Sequence, residues 1–231
     1  MYRYETHLHT APVSACAKAT VRENLEFYKE LGYDGVFITN HFLDGNITRE
    51  TDQTYEELIE FFCSDYEEGA RIGKELGIKV FFGAEFSYEG TDFLIFGLDK
   101  AWLLAHPEIM TMTKREELTL LTESGALIIH AHPFREARYI DHIRLFPRHV
   151  HGVEIHNAGR TDFENHMAEV YAKEYELIPF AGSDNHKGRQ NRKLGGIETD
   201  TPIETVQDLI DLTKAGKVRT FACPNPLHPE A

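Results

Sequence analysis

The position of the histidines constrains this chain more than any other sequence feature. Seven of its 13 histidines, together with Glu85 and Asp184, stand at the ends of short apolar runs. His7 and His9 follow the run that opens at Tyr2. His41 follows Gly35-Val36-Phe37-Ile38-Thr39, and Glu85 follows Lys79-Val80-Phe81-Phe82-Gly83. His130 and His132 come after Ala126-Leu127-Ile128-Ile129, and His156 after Gly152-Val153-Glu154-Ile155. Asp184 and His186 follow the run at 178–181. Such polar groups are costly to bury one by one unless something satisfies them together.

Between these runs lie stretches of helical spacing. One begins near Thr20, where Thr20 and Glu23 have capping-box spacing and Val21, Leu25 and Tyr28 share a face. Others fit 54–76 (closed by Gly77), 113–123, 163–175 and 205–214. Further strands read at 93–97 and near Ile197, with a turn at 87–90. Strands alternating with helices predict a parallel α/β fold with helices outside. A doubly wound sheet and a barrel both satisfy the alternation. In either, functional groups gather at the carboxyl ends of the strands. A barrel sets those ends on a ring, so it lets seven of them converge most easily. Residues 1–231 read as one domain, with a short extended tail from about 221 that carries three prolines.

A Lys plus Arg count of 24 against an Asp plus Glu count of 38 gives a net charge of −14. That balance argues against a duplex nucleic-acid partner, which favours a basic face. No apolar run approaches a membrane span, and no basic amphipathic stretch suits a membrane surface. Three widely spaced cysteines and an N-terminus without a signal-like apolar stretch lead to the expectation of a reducing cytoplasm. Cys16, a single thiol in the loop after His9, reads as inert.

In extended backbone, residues i and i+2 point to the same face. His7 and His9 can therefore present two imidazoles to one ion, as can His130 and His132, or Asp184 and His186. Nitrogen and carboxylate donors without clustered thiols suit Zn²⁺, Mn²⁺ or Fe²⁺. Taken singly, each has an ordinary explanation: a packed histidine beneath His132, a salt-bridged Glu85, a turn-forming Asp184. Shared cations explain all of them at once.

The ordered set His7-Leu8-His9-Thr10, Ile38-Thr39-Asn40-His41, Gly83-Ala84-Glu85, Ala131-His132-Pro133 and Gly182-Ser183-Asp184-Asn185-His186 resembles the PHP (polymerase and histidinol phosphatase) family. The resemblance runs from His7 to about Gly196. It implies a distorted (β/α)7 TIM-like barrel, two or three divalent ions at its mouth (Zn, Mn or Fe) and phosphoester hydrolysis. It implies His7, His9, His41, Glu85, His132, Asp184 and His186 as metal ligands, with His41, Glu85 and Asp184 the catalytic positions and Glu85 bridging. The chain departs from the family in three places. Glu5 stands where the family has Asp. Ser14 and Ala15 stand where it carries a further His or Asp ligand. A His expected after the Glu85 motif is missing, with Asp92 the nearest polar residue and His130 a possible substitute ligand.

Such a centre would activate water and clamp phosphoryl oxygens. Arg135, Arg160 and Asn157 are the candidate substrate contacts, ahead of Lys187 and Arg189. The expected substrate is a small phosphomonoester, histidinol phosphate among the possibilities. The alternatives are a short-oligonucleotide nuclease, a non-catalytic metal-binding regulatory domain and an amidohydrolase-like activity.

Overall fold

The computed structural model describes residues 1–228. Ten strands are present among them: β1 (Tyr2–Leu8), β2 (Gly35–Ile38), β3 (Lys79–Phe82), β4 (Ala84–Tyr88), β5 (Thr91–Phe96), β6 (Leu127–Ala131), β7 (Gly152–Asn157), β8 (Ile178–Gly182), β9 (Lys193–Thr199) and β10 (Val218–Pro224). They form two mixed sheets, ordered β10-β9-β1-β2-β3 and β4-β5-β6-β7-β8. Pairing is parallel for β1-β2-β3 and β6-β7-β8 and antiparallel for β4-β5-β6 and β9 with both neighbours.

The α/β class and most of the strand positions are as expected, but the sheets do not close into one barrel among the described residues. The antiparallel part has a local cause. β4 and β5 join through Glu89 and Gly90, both at positive φ (48° and 87°). That is the two-residue hairpin turn whose twist matches its strands, and no crossover fits in two residues. Of the expected turn at 87–90, Ser87 and Tyr88 lie inside β4, a strand not foreseen, while Glu89 and Gly90 make the turn.

The two sheets nonetheless share an interior. One apolar cluster takes Tyr4 from β1, Phe37 from β2, Phe81 from β3, Leu94 and Phe96 from β5, Ile129 from β6, Phe180 from β8 and Ile197 from β9. Helix α6 (Val206–Lys214) covers it through Leu209 and Ile210. β8 passes close against β1 because residue 182 is glycine: a Cβ there would sit 2.4 Å from the Cβ of His7. Single bridges, Leu8 to Asn185 and His41 to Glu85, tie the sheets at the site end.

The outer helices are α1 (Val21–Glu30), α2 (Tyr55–Leu76), α3 (Lys100–Ala105), α4 (Lys114–Glu123) and α5 (Asp162–Glu174). Helices α1, α2, α4, α5 and α6 open on a threonine, at 20, 54, 113, 161 and 205, whose side chain and a following carboxylate form a reciprocal cap. That arrangement satisfies amide groups a helix start otherwise leaves unpaired. Gly77 closes α2 in the left-handed conformation. The expected extended tail from about 221 begins inside β10, an edge strand paired along its length with β9. Its last residues, 229–231, lie outside the described residues. Among the described residues no helix is long and apolar enough to cross a membrane.

Candidate metal centre

Two sheets deliver their strand ends to one small volume. His7 lies near the end of β1 and His9 just past it. Their Nε2 atoms are 3.1 Å apart, so the i, i+2 geometry holds. Glu85, on β4, is the hub. Its carboxylate oxygens lie 3.2 Å from His7 Nε2, 3.4 Å from His9 Nε2, 2.7 Å from His41 Nδ1 and 3.3 Å from His132 Nε2. Asp184 Oδ1 is 3.5 Å from His7 Nε2 and 3.2 Å from His186 Nδ1. Donor atoms gather within 4.8 Å of one another in three triads: His7–Glu85–His132, His7–His9–Asp184 and His9–His41–His186.

This donor set fits divalent cations by the state of its buried atoms. Both Glu85 oxygens and His41 Nδ1 are buried without a hydrogen-bond partner among the described residues, although Nδ1 and Oε2 are only 2.7 Å apart. Close approach without hydrogen-bond alignment fits atoms that share an ion, and a buried carboxylate with no hydrogen bond is otherwise costly. Charge balance agrees. Burial would push the Glu85 carboxyl up, but His41 and His7 outweigh it and hold it well below its ordinary value. Burial would push the His7 imidazole down, but Glu154, Asp184 and Glu85 hold it well above. His9 goes the other way: burial, then repulsion from His186 and His41, keeps it deprotonated. Positive charge is thus demanded at the centre, and cations compete with protons for these lone pairs.

Several residues orient the ligands. Glu154, fully buried on β7, accepts from His7 Nδ1 at 2.9 Å, which leaves His7 Nε2 facing the centre. A carboxylate behind a ligating imidazole fixes its tautomer and raises its basicity. The other Glu154 oxygen accepts from the His132 amide at 3.0 Å and from Asn157 Nδ2 at 2.8 Å. Ser14 Oγ is 3.1 Å from His9 Nδ1 and donates to Asn40 Oδ1 at 2.8 Å. Asn40 Nδ2 in turn reaches Asp65 at 3.2 Å. Glu5 accepts from the backbone amides of Thr6, His7 and Ser183, where the β1 register shifts. Sequence reasoning missed Glu154 and Asp65. Glu154 left a signal, a carboxylate in the middle of an apolar run, while Asp65 is hidden in a helix rich in acidic residues.

Three sequence expectations meet a different geometry. His130 is not brought to the cluster. It is buried, stacked on Phe93 with ring centroids 5.1 Å apart, and neither ring nitrogen has a hydrogen-bond partner among the described residues. The i, i+2 argument fails there because His132 leaves the strand at φ 25°, turning its side chain away from His130's direction. Asn157 is buried and turned inward. Its amide donates to Glu154 and, at 3.3 Å, to Asp184, so it braces carboxylates instead of facing a substrate. Cys16 lines the same cleft as His186 and His41, and its thiol feels both imidazoles. Burial would push it up, but those imidazoles pull it down to about 6. His156, half-buried on β7, joins none of the triads.

The centre opens into a cleft of about 650 Å³ lined by Arg135, Arg160, Asp92, Lys187 and Cys16 among others. Asp92 Oδ2 holds Arg135 Nη2 at 3.0 Å. Arg135 and Arg160 each keep a buried Nε–H with no hydrogen-bond partner among the described residues. Arg189 points elsewhere, to Glu30.

No family model matches the chain, and no curated protein matches it. Solved structures do. The chain is similar to a two-domain protein from Bacteroides vulgatus containing a predicted PHP-like metal-dependent phosphoesterase, with a TM-score of 0.69 and 14% identity, over 95% of this chain and 64% of that one. It is similar to PsfC from Pseudomonas syringae, with a TM-score of 0.61 and 18% identity, over 100% of this chain and 95% of that one. It is similar also to the lesion-specific endonuclease PfuEndoQ from Pyrococcus furiosus, with a TM-score of 0.58 and 13% identity, over 95% of this chain and 57% of that one. The chain therefore spans less than two thirds of the first and third of these proteins. At such identities the likeness is one of fold, and that fold is the PHP-like one.

Proposed function

We propose that this chain is a metal-dependent hydrolase of phosphoesters, with small phosphomonoesters as its substrates. One observation carries the reading: three donor triads, linked in series through His7 and His9, sit beside a cleft whose walls hold two guanidinium groups with N–H donors unpaired among the described residues. His7, His9, His41, Glu85, His132, Asp184 and His186 hold two or three divalent ions of the Zn, Mn or Fe kind. When bound, such ions supply a water that is acidic enough to ionise near neutral pH and offset phosphoryl charge. His41, Glu85 and Asp184 are the catalytic positions. Glu85 faces four imidazoles, His41 closes the triad on the open side, and Asp184 gives the His7–His9 pair its anionic donor. Arg135, steadied by Asp92, and Arg160 bind the phosphoryl oxygens, where charge-assisted pairs are strongest. The protein's own charge of −14 would repel phosphate, so these cationic groups must reverse the sign locally.

Purified chain loaded with Mn²⁺ or Zn²⁺ is expected to release phosphate from a panel of nucleotide, sugar and histidinol monophosphates. A chelator should stop turnover, and either ion should restore it. His41→Ala and Glu85→Ala are expected to abolish turnover with an unchanged circular dichroism spectrum. Undiminished activity after complete metal stripping overturns the reading. A folded, metal-loaded protein inert on every ester would instead mark a binding domain.

A second reading is favoured by the fold shared with a lesion-specific endonuclease and by Arg160 and Lys187 lining the same cleft. It makes the chain a nuclease of short single strands, and cleavage of short oligonucleotides in preference to monophosphates would select it. Long duplexes are not the expected partner given the net charge. Three free cysteines fit work in a reducing cytoplasm.

A further inference from the structure

Asp65 is buried on α2, and no cation pairs with it among the described residues. A buried carboxylate without a countercharge is costly and persists only where its hydrogen bonds are satisfied. Its Oδ2 accepts from Thr10 Oγ1 at 2.6 Å, from the Val13 amide at 3.3 Å and from Asn40 Nδ2 at 3.2 Å. These donors belong to the loop after His9 and to the residue before His41. From Asn40 onward the hydrogen bonds run in one direction. The Thr10 amide can only donate, and it donates to Asn40 Oδ1 at 2.7 Å. That settles which way the Asn40 amide faces: its Nδ2 points to Thr10 Oγ1 at 2.8 Å and to Asp65. Ser14 Oγ, 2.8 Å from the same Oδ1, must therefore donate to it. A hydroxyl has one proton to give and two lone pairs. One lone pair accepts from the His41 amide at 3.1 Å. The other faces His9 Nδ1 at 3.1 Å, so the proton between them lies on the imidazole. A neutral His9 then keeps its Nε2 lone pair toward the cluster.

We propose that Asp65 is a positioning residue of the metal centre: through Asn40 and Ser14 it fixes His9 as the Nδ1–H tautomer and holds the backbone of His41. This inference rests on the reading of the cluster as a metal centre. It sets apart the two imidazoles of the first strand end. His7 is turned by a carboxylate in direct contact, Glu154, at 2.9 Å. His9 is turned by a neutral hydroxyl, with the charge two links further back. A carboxylate behind a ligating imidazole raises its basicity, so His7 is the stronger donor and His9 the weaker. The His9–His41–His186 triad depends on Asp65 through two of its members, and the His7–Glu85–His132 triad through none.

The test uses the whole chain, stripped of metal and isotope-labelled at its histidine nitrogens. Long-range proton–nitrogen NMR spectra separate the two neutral tautomers of an imidazole. His9 is expected as Nδ1–H in the unaltered protein and in Ser14→Thr, which keeps the hydroxyl. Ser14→Ala should leave it a mixture. Asp65→Asn should move it the same way, with Asp65→Ser standing in if the asparagine variant does not fold. In zinc titrations of the same proteins, Asp65→Asn and Ser14→Ala should weaken the positions that His9 serves by ~10-fold and leave the His7–Glu85–His132 position unchanged. A residue that only braces α2 would lower stability and leave the tautomer where it was. That result, or an Nε2–H signal from His9 in the unaltered chain, overturns the role of Asp65 alone. No zinc uptake by the unaltered chain overturns the metal centre with it.

Discussion

Glu154 never meets the cleft, yet it sets the direction of His7. Replacing it with glutamine keeps its volume and removes its charge. Glu154→Gln is therefore expected to lower metal affinity by ~10–100-fold, read by equilibrium dialysis, with helix content unchanged. His130 makes the opposite prediction. Its imidazole is held at about 3 by burial, with repulsion from His132 second, so the folded chain keeps it neutral where the unfolded chain protonates it. Its contribution to stability is present above the ordinary histidine value of 6.5 and is lost as pH falls from there toward 3. His130→Phe should remove that acid-sensitive component in denaturant titrations and leave metal content intact. Loss of metal in that variant would return His130 to the ligands. The candidate ligands were legible because strand ends are marked by apolar runs, and histidine is conspicuous behind them. His130's place apart from the triads was not legible, because a single positive φ at His132 breaks the alternation, and φ is not written in residue type at a histidine.

At the scale of elements, the reciprocal threonine caps are the most legible feature. Thr20 and Glu23 announce α1. In α5 the expectation began at Phe163, although Thr161 and Glu164 form the same device. Thr54→Ala removes one such cap from the longest helix and is expected to cost ~1 kcal/mol in urea unfolding, with no change in turnover. Bulges were not legible. β7 shifts register between Glu154 and His156, and the extra residue puts Glu154 and Asn157 on one side, where they hydrogen-bond. A strict two-residue period assigns them opposite faces. The short α3 was also missed, because six residues carry no periodic signal.

For the whole molecule, the alternation gave the parallel α/β expectation, and the barrel came from the convergence of strand ends and the resemblance. The β4–β5 hairpin and the β9–β10 pair break the parallel expectation, yet the convergence that motivated the barrel survives. Chelation should lower the melting temperature, because ions that bind only the folded chain stabilise it by mass action, by about 2.7 kcal/mol at a hundredfold excess over Kd. Differential scanning calorimetry checks this, and one cooperative transition is the outcome proposed for residues 1–231 acting as one domain. An unshifted transition on metal removal would argue against occupied sites in the native state.

His7, His9 and His41 come from one sheet or its strand ends, while Glu85, His132, Asp184 and His186 come from the other. Bound ions would therefore rivet the two halves together across their seam. Any force or pressure that parts the halves must empty the bowl first, so metal release would serve as the earliest gauge of that parting, ahead of melting in either sheet.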